Sequence, residues 1–219
     1  MKRVLVTGGS RGIGAAVVSV LHEDSKWEVV APTREECDLL SRTSIDQFLS
    51  SCGKFDALVN VAGINEHSEL SKIDEETLLA TEQVNVNAPL SLIRGLVPGM
   101  ISRGGGRIVN FSSIWGVRSK EKRTMYSISK FGIVGLTRAL SHELGPLGIL
   151  INAVAPGFVL TEMTRKNLSE DEQSRLCAEI PLRRMATPDE IARTVRFLIS
   201  DDNTYITGAV IRIDGGLLA

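Results

Sequence analysis

"VLVTGGSRGIG", residues Val4–Gly14, runs from an apolar, β-branched segment straight into glycines at 8, 9, 12 and 14. The segment reads as a buried strand, and the glycines mark where the chain turns into a helix. On a parallel α/β sheet, ligands sit beyond the carboxyl ends of the strands, and the first β-to-α turn is the usual seat of a phosphate. Glycines there remove Cβ atoms that would hold a pyrophosphate away from the backbone. The helix that follows offers unpaired N–H groups at its positive end. Gly8 reads as the turn, Gly12 as the point of close approach, and Gly14 as the site of tight helix–strand packing. Two rival motifs fail. Gly9 and Gly14 have P-loop spacing, but Ala15 and Ala16 follow where a lysine and a hydroxyl residue belong. The GxGxxG spacing does not fit either; TGxxxGxG does, with Thr7, Gly8, Gly12 and Gly14.

Outward from this turn, short Val/Ile-rich runs alternate with helical spacing. RVLVT (3–7), WEVVAP (27–32), DALVNVAG (56–63), GRIVNFSS (106–113), ILINAVAPG (149–157) and GAVIRID (208–214) read as strands apolar on both faces. Helical stretches lie between them, including one long run from residue 74 to 102. Another starts at Thr187, an N-cap candidate followed by Pro188 and two acids. The order implies one α/β domain over residues 1–219, a Rossmann fold with a doubly wound parallel sheet. One connection is short. CDLL begins at Cys37, with three residues between it and the end of strand 2 near Thr33. A crossover helix needs about a dozen residues, so either the crossover is missing or CDLL is not a sheet strand.

Bulk properties narrow the function. A net charge of −1 gives no global field for nucleic acid or an anionic membrane. No window approaches the ~20 apolar residues of a membrane helix, and the apolar stretch before Gly8 is too short for a signal-peptide core. Three scattered cysteines without a CxxC pair read as reduced thiols in a cytoplasmic protein. With three scattered histidines, no metal site is expected.

The motifs TGGSRGIG (7–14), NVAG (60–63), VNVNAP (84–89), GRIVNFSSIWG (106–116), YSISK (126–130), NAVAPGFVLTEM (152–163) and YITGAVIRIDGG (205–216) occur in order along the chain. In them the chain resembles the short-chain dehydrogenase/reductase family over essentially its whole length, and within it the 3-oxoacyl-carrier-protein reductase-like branch. Tyr126 and Lys130, four apart, share a helix face. A free tyrosine titrates near ~10, and an ammonium nearby is expected to lower that value. The resemblance implies that Tyr126 passes a proton to a substrate carbonyl oxygen and that Lys130 also binds the nicotinamide ribose. It implies that Ser113, rather than Ser112, polarises the carbonyl, so that Ser113 and Tyr126 touch substrate. Asn87 is implied as the fourth catalytic residue, in a helix disturbed ahead of Pro89, with Asn85 as its neighbour. No Ser–His–Asp arrangement competes.

The cofactor positions implied are Gly8, Ser10, Arg11, Gly12, Ile13 and Gly14 in the first turn, Asn60, Ala62 and Gly63 after the third of the six strands, and Pro156, Gly157, Val159 and Thr161 beside the nicotinamide, with Tyr126 and Lys130. Thr33 occupies the family's acid position, and Arg34 and Arg11 suit a 2′-phosphate, so NADP is expected before NAD. Glu35 and Glu36 could replace the acid if the short crossover shifts the register. Asp38, with Leu39, matches the adenine side, which implies that CDLL remains a strand and that only the helix between strands 2 and 3 is missing. Val61 departs from the family's second asparagine.

Arg118, Lys120, Lys122 and Arg123 stand against Glu121 alone in the segment that borders the substrate mouth in this family. They suit an anionic carbonyl substrate, small or carried on an acidic carrier protein; an ordinary solvated loop is the plain alternative. Residues 158–186, with Arg165 and Lys166, resemble a substrate lid. Relatives suggest a homo-oligomer, tetramer or dimer. The activity implied is reduction of a 3-oxoacyl thioester; oxidation of a small hydroxy compound or sugar is the nearest alternative. A non-catalytic dinucleotide sensor is a third, and it does not need the Tyr126–Lys130 pair.

Overall fold

The computed structural model describes residues 1–219, with every side chain except those of Met163 and Asn167. Strands β1 (Lys2–Thr7), β2 (Trp27–Val30), β3 (Ala57–Asn60), β4 (Gly106–Phe111), β5 (Ile149–Pro156) and β6 (Val210–Ile213) form one sheet in the order β2-β1-β3-β4-β5-β6. All pairs are parallel, with Thr7 opposite Asn60 and Asn60 opposite Asn110.

Successive side chains of each strand leave opposite faces, and the core divides accordingly. Val4, Val6, Val59, Val109 and Val154 pack under α1 (Gly12–His22) and α8 (Pro188–Ile199). Leu5, Leu58, Ile108 and Ile151 pack on the other side under α2 (Arg42–Ser51), α4 (Ala88–Ser102) and α5 (Thr124–Leu144). This is the doubly wound Rossmann arrangement expected. Its reversal point lies between β1 and β3, where the first turn opens. Thr187 caps α8 as expected, accepting from Glu190 N–H in a full capping box.

The edge of the sheet corrects one expectation. Cys37–Leu40 is not a strand, so both the crossover helix and the strand it would lead to are absent, and the sheet ends at β2. Two tight turns consume the backbone groups that a strand would have offered: Cys37 N–H donates to Thr33 O (3.0 Å) and Ser41 N–H to Asp38 O (3.0 Å). Cys37 meanwhile tucks into the apolar layer under α2 and α4, where burial pushes its thiol up to about 11.

The long 74–102 helix is interrupted. It comprises α3 (Glu75–Glu82), a π-turn (Gln83–Asn87) and α4. Pro89 has no N–H for the carbonyl four residues back, that of Asn85, and the ladder widens there; Ala88 N–H reaches Gln83 O. Between β5 and α8 lie two further helices, α6 (Glu162–Asn167), which the sequence did not announce, and α7 (Glu170–Glu179). Val159 and Ala186 bridge the ends of this excursion.

Candidate active site

The first turn is built as a cradle. Gly8 (φ +69°) and Gly12 (φ +56°) adopt left-handed conformations that a side chain disfavours. A Cβ on Gly14 would lie 2.0 Å from Gly8 O, so this glycine seats α1 on the turn itself rather than on a strand. Gly9, to which no role had been given, lets the turn press on the end of β2: its Cβ would meet Ala31 at 2.8 Å. A Cβ at Gly12 would touch only Thr161, at 3.6 Å, so this face of the turn is open toward the start of α6. Arg11 precedes α1 without a side-chain cap, which leaves the first-turn N–H groups to a phosphate. The cradle therefore fits a dinucleotide. Ala62 packs against it, donating its N–H to Thr7 Oγ1 (3.3 Å). Asn60 reaches Asn110 (2.9 Å), which reaches Thr137 (3.0 Å), and Asn60 Oδ1 is left buried with no partner.

Beside this turn opens a cleft of about 570 Å³. Ile13, Gly63, Ser113, Tyr126, Lys130, Pro156, Gly157, Val159 and Thr161 all line it, so the structure brings these sequence-derived positions together. Ser113 lies two residues beyond β4 and caps the short 3₁₀ turn Ile114–Gly116, its Oγ accepting from Trp115 N–H (3.2 Å). Ser112 points elsewhere: its hydroxyl donates to Lys130 O (3.0 Å). Gly116 permits that contact, since a Cβ there would lie 2.2 Å from Ser112 Oγ. Lys130 is 4% exposed. Its ammonium donates to Phe111 O (2.8 Å) and stands 5.5 Å from the centre of the Tyr126 ring. Burial with no carboxylate beside it lowers the Lys130 pKa to about 8.

Two expectations change here. Burial pushes the Tyr126 phenol up, and the Ser113 hydroxyl and the Arg123 charge only partly oppose it. Arg123 is the charge that opposes the upward push on the free phenol. Asn87, expected as the fourth residue, is exposed, and its carbonyl is taken by Ser91 Oγ (2.8 Å). Two residues along a helix is about 200° of rotation, so it is Asn85 that faces inward. Asn85 is 1% exposed, bonds both Ile64 N–H and Ile64 O (2.8 Å each) and donates to Ser129 Oγ (2.9 Å). A Cβ on Gly63 would sit 3.2 Å from Asn85 Oδ1 and 3.4 Å from Lys130 Nζ, so the three residues form one corner.

The far end of the nucleotide path is not in the cleft. Thr33 N–H donates to Glu36 Oε2 (2.7 Å), and this bond holds the Glu36 carboxyl below its usual range. Arg34 pairs with Asp38 (3.4 Å), which also accepts from Leu40 N–H (3.0 Å). Leu39 O receives Gln83 (3.0 Å). Ser10 and Arg11 stay exposed on the turn.

At the mouth, Arg118, Lys120 and Arg123 stand 5.9, 5.4 and 5.6 Å from the Trp115 ring centre. Lys122 is drawn off to Glu69 (3.3 Å). Asn65 and His67, neither flagged by the sequence, complete the wall. Burial, then Arg123 and Lys120, push the His67 pKa down.

A strand-end serine, a buried lysine and a phenol around one cleft, beside a glycine cradle, define a nicotinamide-dependent oxidoreductase. The comparisons agree. The family profile described as Enoyl-(Acyl carrier protein) reductase matches residues 14–218. The chain belongs to the short-chain dehydrogenase/reductase family. It is 33% identical to a 3-oxoacyl-acyl-carrier-protein reductase FabG of Rickettsia felis, over 99% of this chain and 97% of that protein. It is also 33% identical to the protein of the same name from Thermotoga maritima, covering 99% and 98%. A solved 4-hydroxyisoleucine dehydrogenase complexed with NADH superposes with a TM-score of 0.94 at 26% identity, covering 100% of this chain and 99% of that one. Among the described residues, no helix is long and apolar enough to cross a membrane, and no cluster suited to a metal ion occurs.

Proposed function

We propose that this oxidoreductase reduces a ketone at the expense of NADPH. The substrate has the 3-oxoacyl form named for its FabG relatives, with the thioester on a carrier protein as first candidate. The convergence of Ser113, Tyr126 and Lys130 on one cleft supports this reading above all else. The cradle Gly8–Gly14 and the Ala62–Gly63 corner would hold the dinucleotide, with Pro156, Gly157, Val159 and Thr161 beside its nicotinamide. Bound there, the cofactor supplies the hydride that the carbonyl carbon receives.

The chain itself manages the oxygen and its proton. Ser113 donates a hydrogen bond to the carbonyl oxygen and orients it. Tyr126 then gives that oxygen its proton. The phenol is protonated at neutral pH, so it has a proton to give. Lys130, still cationic below about pH 8, stabilises the phenolate as it appears. Asn85 keeps Gly63 and the π-turn in place behind the lysine. Residues 158–186 act as the lid over substrate. We place the protein in the cytoplasm as a dimer or tetramer, in line with its three free cysteines and its relatives.

Arg34 and Arg11 support NADPH through the affinity of guanidinium groups for a 2′-phosphate. One observation favours NADH instead: Glu36 is folded onto Thr33, the family's acid position. Steady-state rates with 3-oxoacyl thioesters and each cofactor decide this; a strong NADH preference refutes the arginine argument. A small hydroxy acid as substrate is the second reading, favoured by Arg123 in the wall of the cleft. Tyr126→Phe tests the whole assignment. It is expected to keep cofactor binding, followed by fluorescence, and to lose about 10²- to 10⁴-fold in turnover. Normal turnover in this variant would remove the case for catalysis at this cleft.

A further inference from the structure

We infer that Arg123 binds a carboxylate on the substrate, so that the cleft selects free oxo or hydroxy acids over their neutral esters and thioesters. This rests on the carbonyl-reductase reading and, against the thioester placed first there, takes the second of its substrate classes, the small acid.

Of the four cations at the mouth, one combines partial burial with the lack of a carboxylate partner. Lys122 is paired with Glu69, which Lys72 also contacts (2.9 Å). Arg118 and Lys120 stand over the Trp115 ring, as Arg123 does, but both are exposed. Arg123 alone is half-buried. Its NH1 donates to Asn65 Oδ1 (2.6 Å), a neutral acceptor that positions the guanidinium without cancelling its charge. Among the described residues no carboxylate lies within 4.0 Å of it. A guanidinium presents five donors in a rigid fork, so most remain for a bidentate partner. A half-buried, unpaired charge is costly unless a ligand completes it.

Position adds to this. Arg123 directly precedes α5 and lies three residues before Tyr126, and its charge is felt at the phenol. A ligand with its carbonyl on Ser113 and Tyr126 therefore has its next few carbons beside this guanidinium. Trp115 and Phe158, in edge-to-face contact at 6.5 Å, give the cleft an apolar wall.

The test compares acetoacetate with ethyl acetoacetate, which share a carbon skeleton and differ in charge. The wild type is expected to prefer the acid in kcat/KM. Arg123→Gln should shrink that preference about 10- to 100-fold, the range expected for a lost charge-assisted hydrogen bond. Arg123→Lys should recover part of it. A wild type that favours the ester or a thioester, or a preference unchanged in Arg123→Gln, overturns the inference and leaves the reductase reading intact. A second readout needs no turnover: succinate should perturb the fluorescence of Trp115 in the wild type and not in Arg123→Gln. Succinate binding that depends on Arg123, with no ketone reduced, would support this inference and sink the reductase reading instead.

Discussion

Replacing Lys130 by methionine should inactivate the enzyme and yet stabilise the fold. The ammonium is buried without a counter-charge, and its pKa falls from 10.5 to about 8. At ~1.4 kcal/mol per pKa unit, that displacement corresponds to about 3 kcal/mol of destabilisation carried by the charged form. The hydrogen bond from Nζ to Phe111 O offsets about 1 kcal/mol of this. Methionine fills the same space without the charge, so Lys130→Met should gain about 2 kcal/mol at pH 7, or about 4–8 °C in Tm for a domain of this size. The sign with pH follows from linkage. Below pH 8 the lysine is protonated in both folded and unfolded chains, and the penalty is complete. Between pH 8 and 10.5 the folded lysine is neutral while the unfolded one is still charged, so wild-type stability gains on the variant as pH rises. Above 10.5 the penalty is gone and only the lost hydrogen bond remains, leaving the variant about 1 kcal/mol less stable. Urea unfolding of both proteins from pH 6 to 10.5 measures this directly. Ionisations common to both cancel in the difference. A variant less stable at pH 7, or a difference that stays flat across 8 to 10.5, refutes the reasoning.

Asn85→Ala should cost about 2–3 kcal/mol and lower kcat, because it strips partners from both backbone groups of Ile64 and from Ser129; Asn87→Ala should be near neutral in melting and in rate, and the reverse order would restore Asn87 to the site. Gly14→Ala should abolish dinucleotide binding in a fluorescence titration, since its Cβ would stand 2.0 Å from Gly8 O; retained affinity would show that the turn yields more easily than its packing implies.

The sheet was legible because each of its strands is a short Val/Ile-rich run bounded by turn residues, and burial on both faces leaves that signature undiluted. Ser113, Tyr126 and Lys130 were legible because their motifs bring them to one strand end and one helix face. What failed depended on rotation or environment. Choosing Asn85 over Asn87 requires knowing how the helix turns through the π-segment ahead of Pro89. CDLL has strand-like composition, but pairing with β2 is a tertiary event, and local turns at Thr33 and Asp38 prevailed over it. The direction of the Tyr126 shift followed burial, which a linear sequence does not display. Four cations in a row gave no sign that Arg123 alone turns inward.

The short edge of the sheet has a consequence for redesign. On the proposed reading, the proton-handling corner is anchored on β4 and α5, while the adenosine end rests on a few turns after β2, far from both in sequence. Leu39 O still holds Gln83 at the head of the π-turn, so on the proposed reading a redesign of residues 31–38 that keeps this tie is the route to a changed nucleotide preference with Tyr126 left in place.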